Sequence, residues 1–137
     1  MDNQIVITEL DYVRLSQLIL LTKNNKTIEL RNLDFLRQEI ARAKRVDSKK
    51  MSADYVTMNS EIEILDLDSN KTMTLKLVYP QEADFRSGRI SILSPLGSAL
   101  LGYKVSRTIS FEVPKGTKQI KITRIIYQPE ANGEYTT

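Results

Sequence analysis

The sequence predicts an α+β protein in which a short helical unit precedes a unit of β-strands. Apolar residues recur at helical spacing over the first third of the chain and alternate with polar residues beyond it. The 137 residues are 41% hydrophobic and 27% charged, which is typical of a globular protein with one ordinary core. The periodicity changes near Ser48, which divides the chain into predicted units at 1–50 and 51–137.

The first predicted helix runs from Glu9 to about Leu21. Thr8 has the chemistry of an N-cap, and Asp11 three residues later resembles a capping box with a shortened acid. The polar run 22–27 ends the helix. Its apolar residues recur at helical spacing: Tyr12, Val13, Leu15, Leu18, Ile19 and Leu21.

A second helix is predicted after Asn32, a plausible N-cap. Its apolar residues step by three or four and form a narrow seam: Leu33, Leu36, Ile40, Ala43 and Val46. The simplest arrangement is a short antiparallel coiled-coil hairpin with a polar tip over 22–30. We expect the first three seam residues to pack against Val13, Leu18 and Leu21 of the first helix.

The rest of the chain predicts an antiparallel sheet with one short helix. The strand segments alternate apolar and polar residues: 56–64, 72–79, 89–93, 109–113 and 120–126. Ser94 and Pro95 have the signature of a helix start, and Gly102 fits a left-handed stop. We expect a polar loop at 81–88 and a loosely held tail from residue 128.

The formal net charge of +3 is concentrated in the first unit. Residues 1–50 contain 10 basic and 7 acidic side chains, whereas the remainder is balanced. The excess is centred on a basic patch at Arg42, Lys44 and Arg45, which would steer the protein toward an acidic surface or nucleic acid. A solvated helix face explains the same residues without any partner.

The composition excludes several kinds of catalytic site. The chain has no Cys and no His, so thiolate zinc sites, Cys nucleophiles and Ser-His-Asp triads are absent. The run 66–70 begins like a calcium loop, but Lys71 replaces the required Gly and Leu77 the terminal acid. Glu29 and Asp34 are five residues apart and cannot share one helical face. We therefore predict no catalytic residue, cofactor or metal.

No apolar run reaches the roughly 20 residues of a membrane span. The amino terminus lacks a basic region ahead of an apolar stretch, so no signal peptide is predicted. These features favour a cytoplasmic protein without membrane contact. We expect a monomer, because closing the hairpin leaves no long apolar helix face.

One stretch is specific enough to indicate a family. Residues 90–105 carry S-P-x-x-x-A-L-x-G at 94–102, and this closely resembles the carboxy-terminal domain of the bacterial Gre transcript-cleavage factors, the GreA/GreB superfamily. Within it, segments 56–60 and 127–131 resemble the branch called regulator of nucleoside diphosphate kinase, or Rnk. The resemblance covers nearly the whole chain and is strongest over 54–131.

The resemblance implies an FKBP-like carboxy-terminal domain that docks on RNA polymerase at the mouth of the secondary channel. The helical hairpin would point into that channel, and any RNA or DNA would be met only through the polymerase. The element that Gre factors use to meet the polymerase rim corresponds here to four residues: Ser94, Pro95, Leu96 and Gly97.

The resemblance also gives the hairpin tip a diagnostic role. In Gre factors the tip carries an acidic pair that helps to hold a catalytic magnesium in the polymerase active centre. Here the tip contains Lys23, Asn24, Asn25 and Lys26, and its only acid is Glu29. A helix as short as the first one spans roughly 20 Å, less than Gre hairpins reach. We therefore expect a non-enzymatic regulator that competes with Gre factors without stimulating transcript cleavage.

Two alternatives of a different class stay open. The protein would be an enzyme if it were an active Gre-like cleavage cofactor, or if the FKBP-like fold carried prolyl isomerase activity. A fold alone does not imply such activity. A free-standing nucleic-acid binder is less favoured, because the net charge is small and no aromatic residues interleave with the basic ones. The direction of regulation, inhibitory or anti-backtracking, is also open.

Overall fold

The computed structural model describes residues 5–22, 30–113 and 116–135. Within these ranges the chain forms three helices: α1 (Glu9–Thr22), α2 (Leu30–Arg42) and α3 (Pro95–Leu100). The strands in the same ranges are β1 (Val6–Thr8), β2 (Lys44–Val46), β3 (Glu61–Asp66), β4 (Lys71–Val78), β5 (Arg89–Ser91), β6 (Thr108–Val113) and β7 (Gly116–Tyr127). The predicted α+β class is confirmed. No helix among the described residues is long and apolar enough to cross a membrane.

Helix α1 begins as its sequence predicts but buries a different face. The Asp11 N–H donates to Thr8 Oγ1 at 3.0 Å, which is half of a capping box. Leu15 and Ile19 are buried, whereas Val13 is 49% and Leu21 83% exposed, so the predicted contacts of these last two were wrong. Apolar residues occur on several sides of α1, so periodicity alone did not select the face that packs.

The corrected face of α1 predicts the outcome of a pair of substitutions. Ile19→Val removes one methylene from the core and should lower the free energy of unfolding by about 1 kcal/mol. Leu21→Ala removes more atoms from a side chain in water and should change it by less than about 0.5 kcal/mol. Urea denaturation of both variants measures the difference. A larger loss for Leu21→Ala would restore the originally predicted face.

Helix α2 contacts α1 and buries the predicted residues Leu33, Leu36 and Ile40. It ends at Arg42, so the prediction that the seam continues to Val46 was wrong. Residues 44–46 form β2 instead, which pairs in parallel with β1. Ile5 lies beside this segment and its carbonyl accepts the Lys44 N–H at 2.9 Å. Residues 44–46 are therefore extended because their backbone pairs with that of the amino-terminal segment.

Five strands within the described ranges form one sheet, in the order β5-β4-β3-β7-β6. Strand β3 runs antiparallel to β4 and β7, and β6 runs antiparallel to β7, as predicted. The expectation of a wholly antiparallel sheet was wrong, because β5 runs parallel to β4. The connection at 79–88 carries the chain back along the sheet edge instead of reversing it in a hairpin. Whether this unit is FKBP-like stays a prediction.

The predicted strand over 56–64 begins only at Glu61. Val56 and Met58 are buried in an irregular segment before it, and Asn59 has a left-handed backbone with φ of 67°. The Asn59 N–H donates to the carbonyl of Leu77 at 2.7 Å. Residues 56–60 are all buried, the apolar ones in the core and Thr57 in hydrogen bonds with Ser60 and Glu130, so the alternation in sequence does not mark an extended strand here.

The start of the tail after β7 is anchored, which corrects the prediction of a loosely held tail for residues 128–130; residues 131–134 are exposed. Gln128 is 2% exposed, and its Nε2 donates to the carbonyls of Ser52 at 2.9 Å and Tyr55 at 2.8 Å. Such buried amide bonds are costly to lose. The prediction failed because it judged these residues by polarity and not by the partners available to them.

One core joins the helices to the sheet. Ile62, Leu75 and Ile122 from the sheet belong to the same buried cluster as Leu15 of α1 and Leu36 of α2. Helix α3 contacts both β6 and α2, which places it between the sheet and the helical pair. The residues that start α3 are therefore held by packing as well as by local hydrogen bonds.

Candidate interaction surface

The chain forms a tightly hydrogen-bonded corner between β5 and α3. The Ser91 carbonyl accepts the Ser94 N–H at 3.0 Å and the Ser94 hydroxyl at 2.7 Å. Ser94 Oγ in turn accepts the Gly97 N–H at 3.0 Å, which caps the helix, and Pro95 occupies its first turn. We call residues 91–97 the β5–α3 corner. Its backbone has little freedom to move.

Gly97 allows this corner to pack closely. A Cβ at this position would lie 2.1 Å from the carbonyl oxygen of Ser91 and 3.1 Å from the Cα of Ile92. Real Cβ atoms do not approach backbone this closely. Gly97 is therefore needed for α3 to rest directly on the end of β5.

The structure brings the four predicted docking residues together but does not expose them equally. Pro95 is exposed, Ser94 and Leu96 are partly buried, and Gly97 is buried. Ser94, Pro95 and Leu96 can therefore meet a partner. Gly97 would act by shaping the backbone, not by offering a contact surface.

The glycine that ends the family motif joins the two halves of the chain. Gly102 follows α3 with a left-handed φ of 83°, and a Cβ there would lie 2.8 Å from the Cβ of Ile5. Its carbonyl accepts the Val6 N–H at 3.0 Å, and its N–H donates to the Val56 carbonyl at 2.9 Å. The predicted left-handed stop is confirmed, and it also seats the amino-terminal segment.

The first member of the basic patch is paired within the chain. Arg42 Nε lies 2.6 Å from Glu39 Oε2, and its Nη2 lies 3.0 Å from Glu39 Oε1. Arg42 Nη2 also donates to the hydroxyl of Tyr103 at 3.3 Å. The hydrogen bond with Glu39 raises the pKa of Arg42. This arginine links α2 to the segment after α3.

Arg45 is also engaged, and Lys44 is exposed. Arg45 Nε lies 3.5 Å from Glu9 Oε1, and its guanidinium carbon lies 4.2 Å from the centre of the Tyr12 ring. This is a cation–π contact on the surface of α1. The predicted basic patch therefore does not present three uncompensated charges.

The predicted tip residues Lys23, Asn24, Asn25, Lys26 and Glu29 lie outside the described residues. Their chemistry is known from the sequence alone.

The segment that begins like a calcium loop is a hydrogen-bonded turn. Asp66 Oδ1 accepts the N–H groups of Asp68 at 2.9 Å and Ser69 at 3.3 Å. Its Oδ2 lies 2.7 Å from Lys118 Nζ, and that bond lowers the pKa of Asp66. Among the described residues, no three acidic, His or Cys side chains are grouped to hold a metal ion.

A buried hydrogen bond that the sequence did not predict connects α1 to the carboxy-terminal half. Asp11 is 2% exposed, and its Oδ2 accepts the Met58 N–H at 3.1 Å. Nearby, the Thr57 hydroxyl donates to Glu130 Oε1 at 2.7 Å. Burial raises the pKa of Asp11 to about 7, and burial beside Asp11 also raises the pKa of Tyr79. The sequence suggested only a capping role for Asp11.

Sequence reasoning also passed over an aromatic residue in the loop before β5. Phe85 is 79% exposed, in a single turn of 3₁₀ helix at Phe85–Ser87. The only available signal was an aromatic residue inside an otherwise polar loop.

Comparisons with known proteins agree with the motif that builds the β5–α3 corner. The family model for the transcription elongation factor GreA/GreB carboxy-terminal domain matches residues 51–127. The model for the Rnk N-terminus matches residues 3–46. Together the two models account for most of the chain and confirm the resemblance inferred from its residues.

Individual relatives point the same way. The regulator of nucleoside diphosphate kinase of Escherichia coli K12 is 33% identical over 132 residues, covering 96% of this chain and 95% of the relative. GreA of Pelobacter propionicus is 39% identical over 93 residues, covering 68% of this chain and 59% of the relative. The solved GreA/GreB elongation factor from Nitrosomonas europaea superposes with a TM-score of 0.75 at 35% identity, over 90% of this chain and 100% of that one. The chain belongs to the GreA/GreB transcription elongation factor family, in its regulator of nucleoside diphosphate kinase branch.

Proposed function

We propose that this protein is a non-enzymatic transcription regulator that binds RNA polymerase at the mouth of the secondary channel. The observation that carries the proposal is the β5–α3 corner, which is built from the family motif at 94–102 and presents Ser94, Pro95 and Leu96. The relatives' names identify them as transcription elongation factors and a regulator. These similarities support a role in transcription for this chain.

The construction of the corner suits it to binding. Ser94 is hydrogen-bonded to both Ser91 and Gly97, so the corner loses little conformational entropy when a partner docks. Binding is stronger when a contact surface is already in its bound conformation. Pro95 also has a ring-restricted backbone, which further reduces the entropy lost on docking.

We further propose that the protein occupies the channel entrance without stimulating transcript cleavage. The tip has one acid, Glu29, and it also contains Lys23 and Lys26. A single carboxylate with two lysines in the same segment is a poor ligand set for a magnesium ion. Helix α1 contains 14 residues and is about 21 Å long, a short reach into a channel. The protein would therefore exclude a cleavage factor but not replace it.

Binding to core polymerase tests the docking surface. The double substitution Pro95→Ala with Leu96→Asp should weaken binding about thirtyfold or more, because it removes an exposed anchor and places a charge at the interface. Leu67→Asp is the matched control, since Leu67 is 41% exposed in the turn after β3. Circular dichroism checks that both variants are folded. Equal affinities for wild type and the double variant would remove the β5–α3 corner from the proposal.

A cleavage assay on backtracked polymerase complexes tests the proposal that the protein does not stimulate transcript cleavage. The wild-type protein should release no RNA fragment above the intrinsic rate of the polymerase. It should also slow cleavage when a GreA protein is present, in proportion to the occupancy of the entrance. Cleavage stimulated by this protein alone would show instead that it is an active cofactor.

A further inference from the structure

In the loop before β5, Phe85 is exposed to solvent on a turn that is fixed by hydrogen bonds. Asp84 Oδ1 accepts the Arg86 N–H at 3.2 Å, and Asp84 Oδ2 accepts the Ser87 hydroxyl at 2.9 Å. The backbones of Asp84 and Arg89 pair in both directions, at 2.9 and 3.0 Å. The turn is therefore closed at its base, and Phe85 lies at its start.

The turn is also fixed to the sheet. The Gly88 N–H donates to the Phe85 carbonyl at 3.1 Å, and Gly88 has a left-handed φ of 76°. The Gly88 carbonyl accepts the Lys76 N–H of β4 at 2.8 Å, and Arg89 Nε donates to the Glu82 carbonyl at 2.9 Å. These hydrogen bonds fix the backbone of the turn in the conformation that leaves Phe85 exposed.

Two neighbouring side chains on this turn have the chemistry of interface anchors. Phe85 is 79% exposed, although burying a phenylalanine typically gains about 1.5–3 kcal/mol. Arg86 is exposed, and no ion pair or hydrogen bond of its guanidinium occurs within the part of the chain that the structure describes. Aromatic residues and arginine are both enriched at interfaces. The pair fits an apolar pocket that has a carboxylate at its rim.

The turn is close enough to the β5–α3 corner to share one partner. Both flank β5, which is an edge strand of the sheet. The nine chain steps from Phe85 to Ser94 span at most about 30 Å. A typical interface buries about 800 Å² on each partner, a patch about 30 Å across. The exposed residues of the corner are too few for such a patch, so further contacts have to surround them.

We propose that Phe85 and Arg86 form a second anchor on RNA polymerase, beside the β5–α3 corner, with Phe85 in an apolar pocket and Arg86 against an acidic side chain. This inference rests on the proposed function, because it takes the polymerase as the partner. It extends the interface along the β5 edge of the sheet. The corner would orient the protein, and the aromatic anchor would slow its dissociation.

The test measures affinity for core polymerase with four proteins: wild type, Phe85→Ala, Phe85→Tyr and Leu67→Ala. Phe85→Ala should bind about tenfold more weakly or worse, chiefly through faster dissociation. Phe85→Tyr keeps the ring and should bind within about threefold of wild type. Leu67→Ala is the matched control, because it also removes an exposed apolar side chain, and it should bind like wild type. Thermal unfolding confirms that all four are folded.

A photo-crosslinking residue at position 85 gives an independent readout and should join the protein to a polymerase subunit. Wild-type affinity in Phe85→Ala, with the corner variant still impaired, would overturn the second anchor and leave the proposed function intact. Equal weakening by Leu67→Ala would also overturn it, as non-specific. If wild type does not bind polymerase at all, both the anchor and the proposed function fall.

Discussion

Replacing Gly97 with alanine is expected to destabilise the protein by about 3 kcal/mol and to disrupt the docking geometry that we propose for the β5–α3 corner. The new Cβ would lie 2.1 Å from the Ser91 carbonyl oxygen, which already accepts two bonds from Ser94. Relief requires α3 to move away from β5, since the opposing atoms are backbone. Urea denaturation gives the loss in the free energy of unfolding, and polymerase affinity gives the loss in docking.

Gly133→Ala is the control for this substitution. Gly133 has a left-handed φ of 76°, but a Cβ there meets nothing within 4 Å. Gly133→Ala should therefore lower the free energy of unfolding only through backbone strain, by about 1 kcal/mol. If Gly97→Ala cost no more than Gly133→Ala, the close approach of α3 to β5 would not hold in solution.

The stability of the wild-type protein should fall as pH rises from about 4 to about 7, because of Asp11. Burial raises the pKa of Asp11 from 3.8 to about 7 in the folded state. Between these values the folded protein keeps a proton that the unfolded chain has released. The free energy of unfolding then falls by at most about 1.4 kcal/mol per pH unit, and this contribution levels off about one pH unit above the folded-state pKa.

Asp11→Asn isolates this effect, because the amide keeps an acceptor for the Met58 N–H and cannot titrate. The charges and titrating groups that act on Asp11 are Glu130, Arg14 and Tyr79, and all are retained in the variant. The stability difference between the two proteins should therefore change from about pH 4 through the folded-state pKa of about 7 and level off about one pH unit above it. A difference independent of pH would show that Asp11 is not protonated in the folded protein near neutrality.

The features predicted correctly from sequence are those decided by local chemistry. Ser94 and Pro95 start α3, and Gly102 takes the left-handed conformation after it, because each residue type favours that backbone in almost any context. The antiparallel pair β6 and β7 likewise follows from two alternating segments close together in the chain. The same local motif is the basis on which Ser94, Pro95 and Leu96 are proposed as docking residues.

The features that failed depend on partners distant in sequence. Residues 44–46 became a strand because β1 was available to pair with them. The face of α1 was set by the whole core, which selected Ile19 over Leu21. Asp11 is separated from Met58 by 47 positions, so no local pattern could show their hydrogen bond. Whether Phe85 is exposed likewise depends on the three-dimensional course of its loop.

The position of β7 constrains how the chain can acquire its structure during synthesis. This strand lies between β3 and β6 in the sheet, yet it comes after both of them in the chain. A nascent chain on the ribosome can form α1 and α2 early, but β3 has no neighbour on one side until residues 116–127 emerge. The sheet can therefore close only after residues 116–127 have left the ribosome, and until then an unpaired edge of β3 is open to other chains.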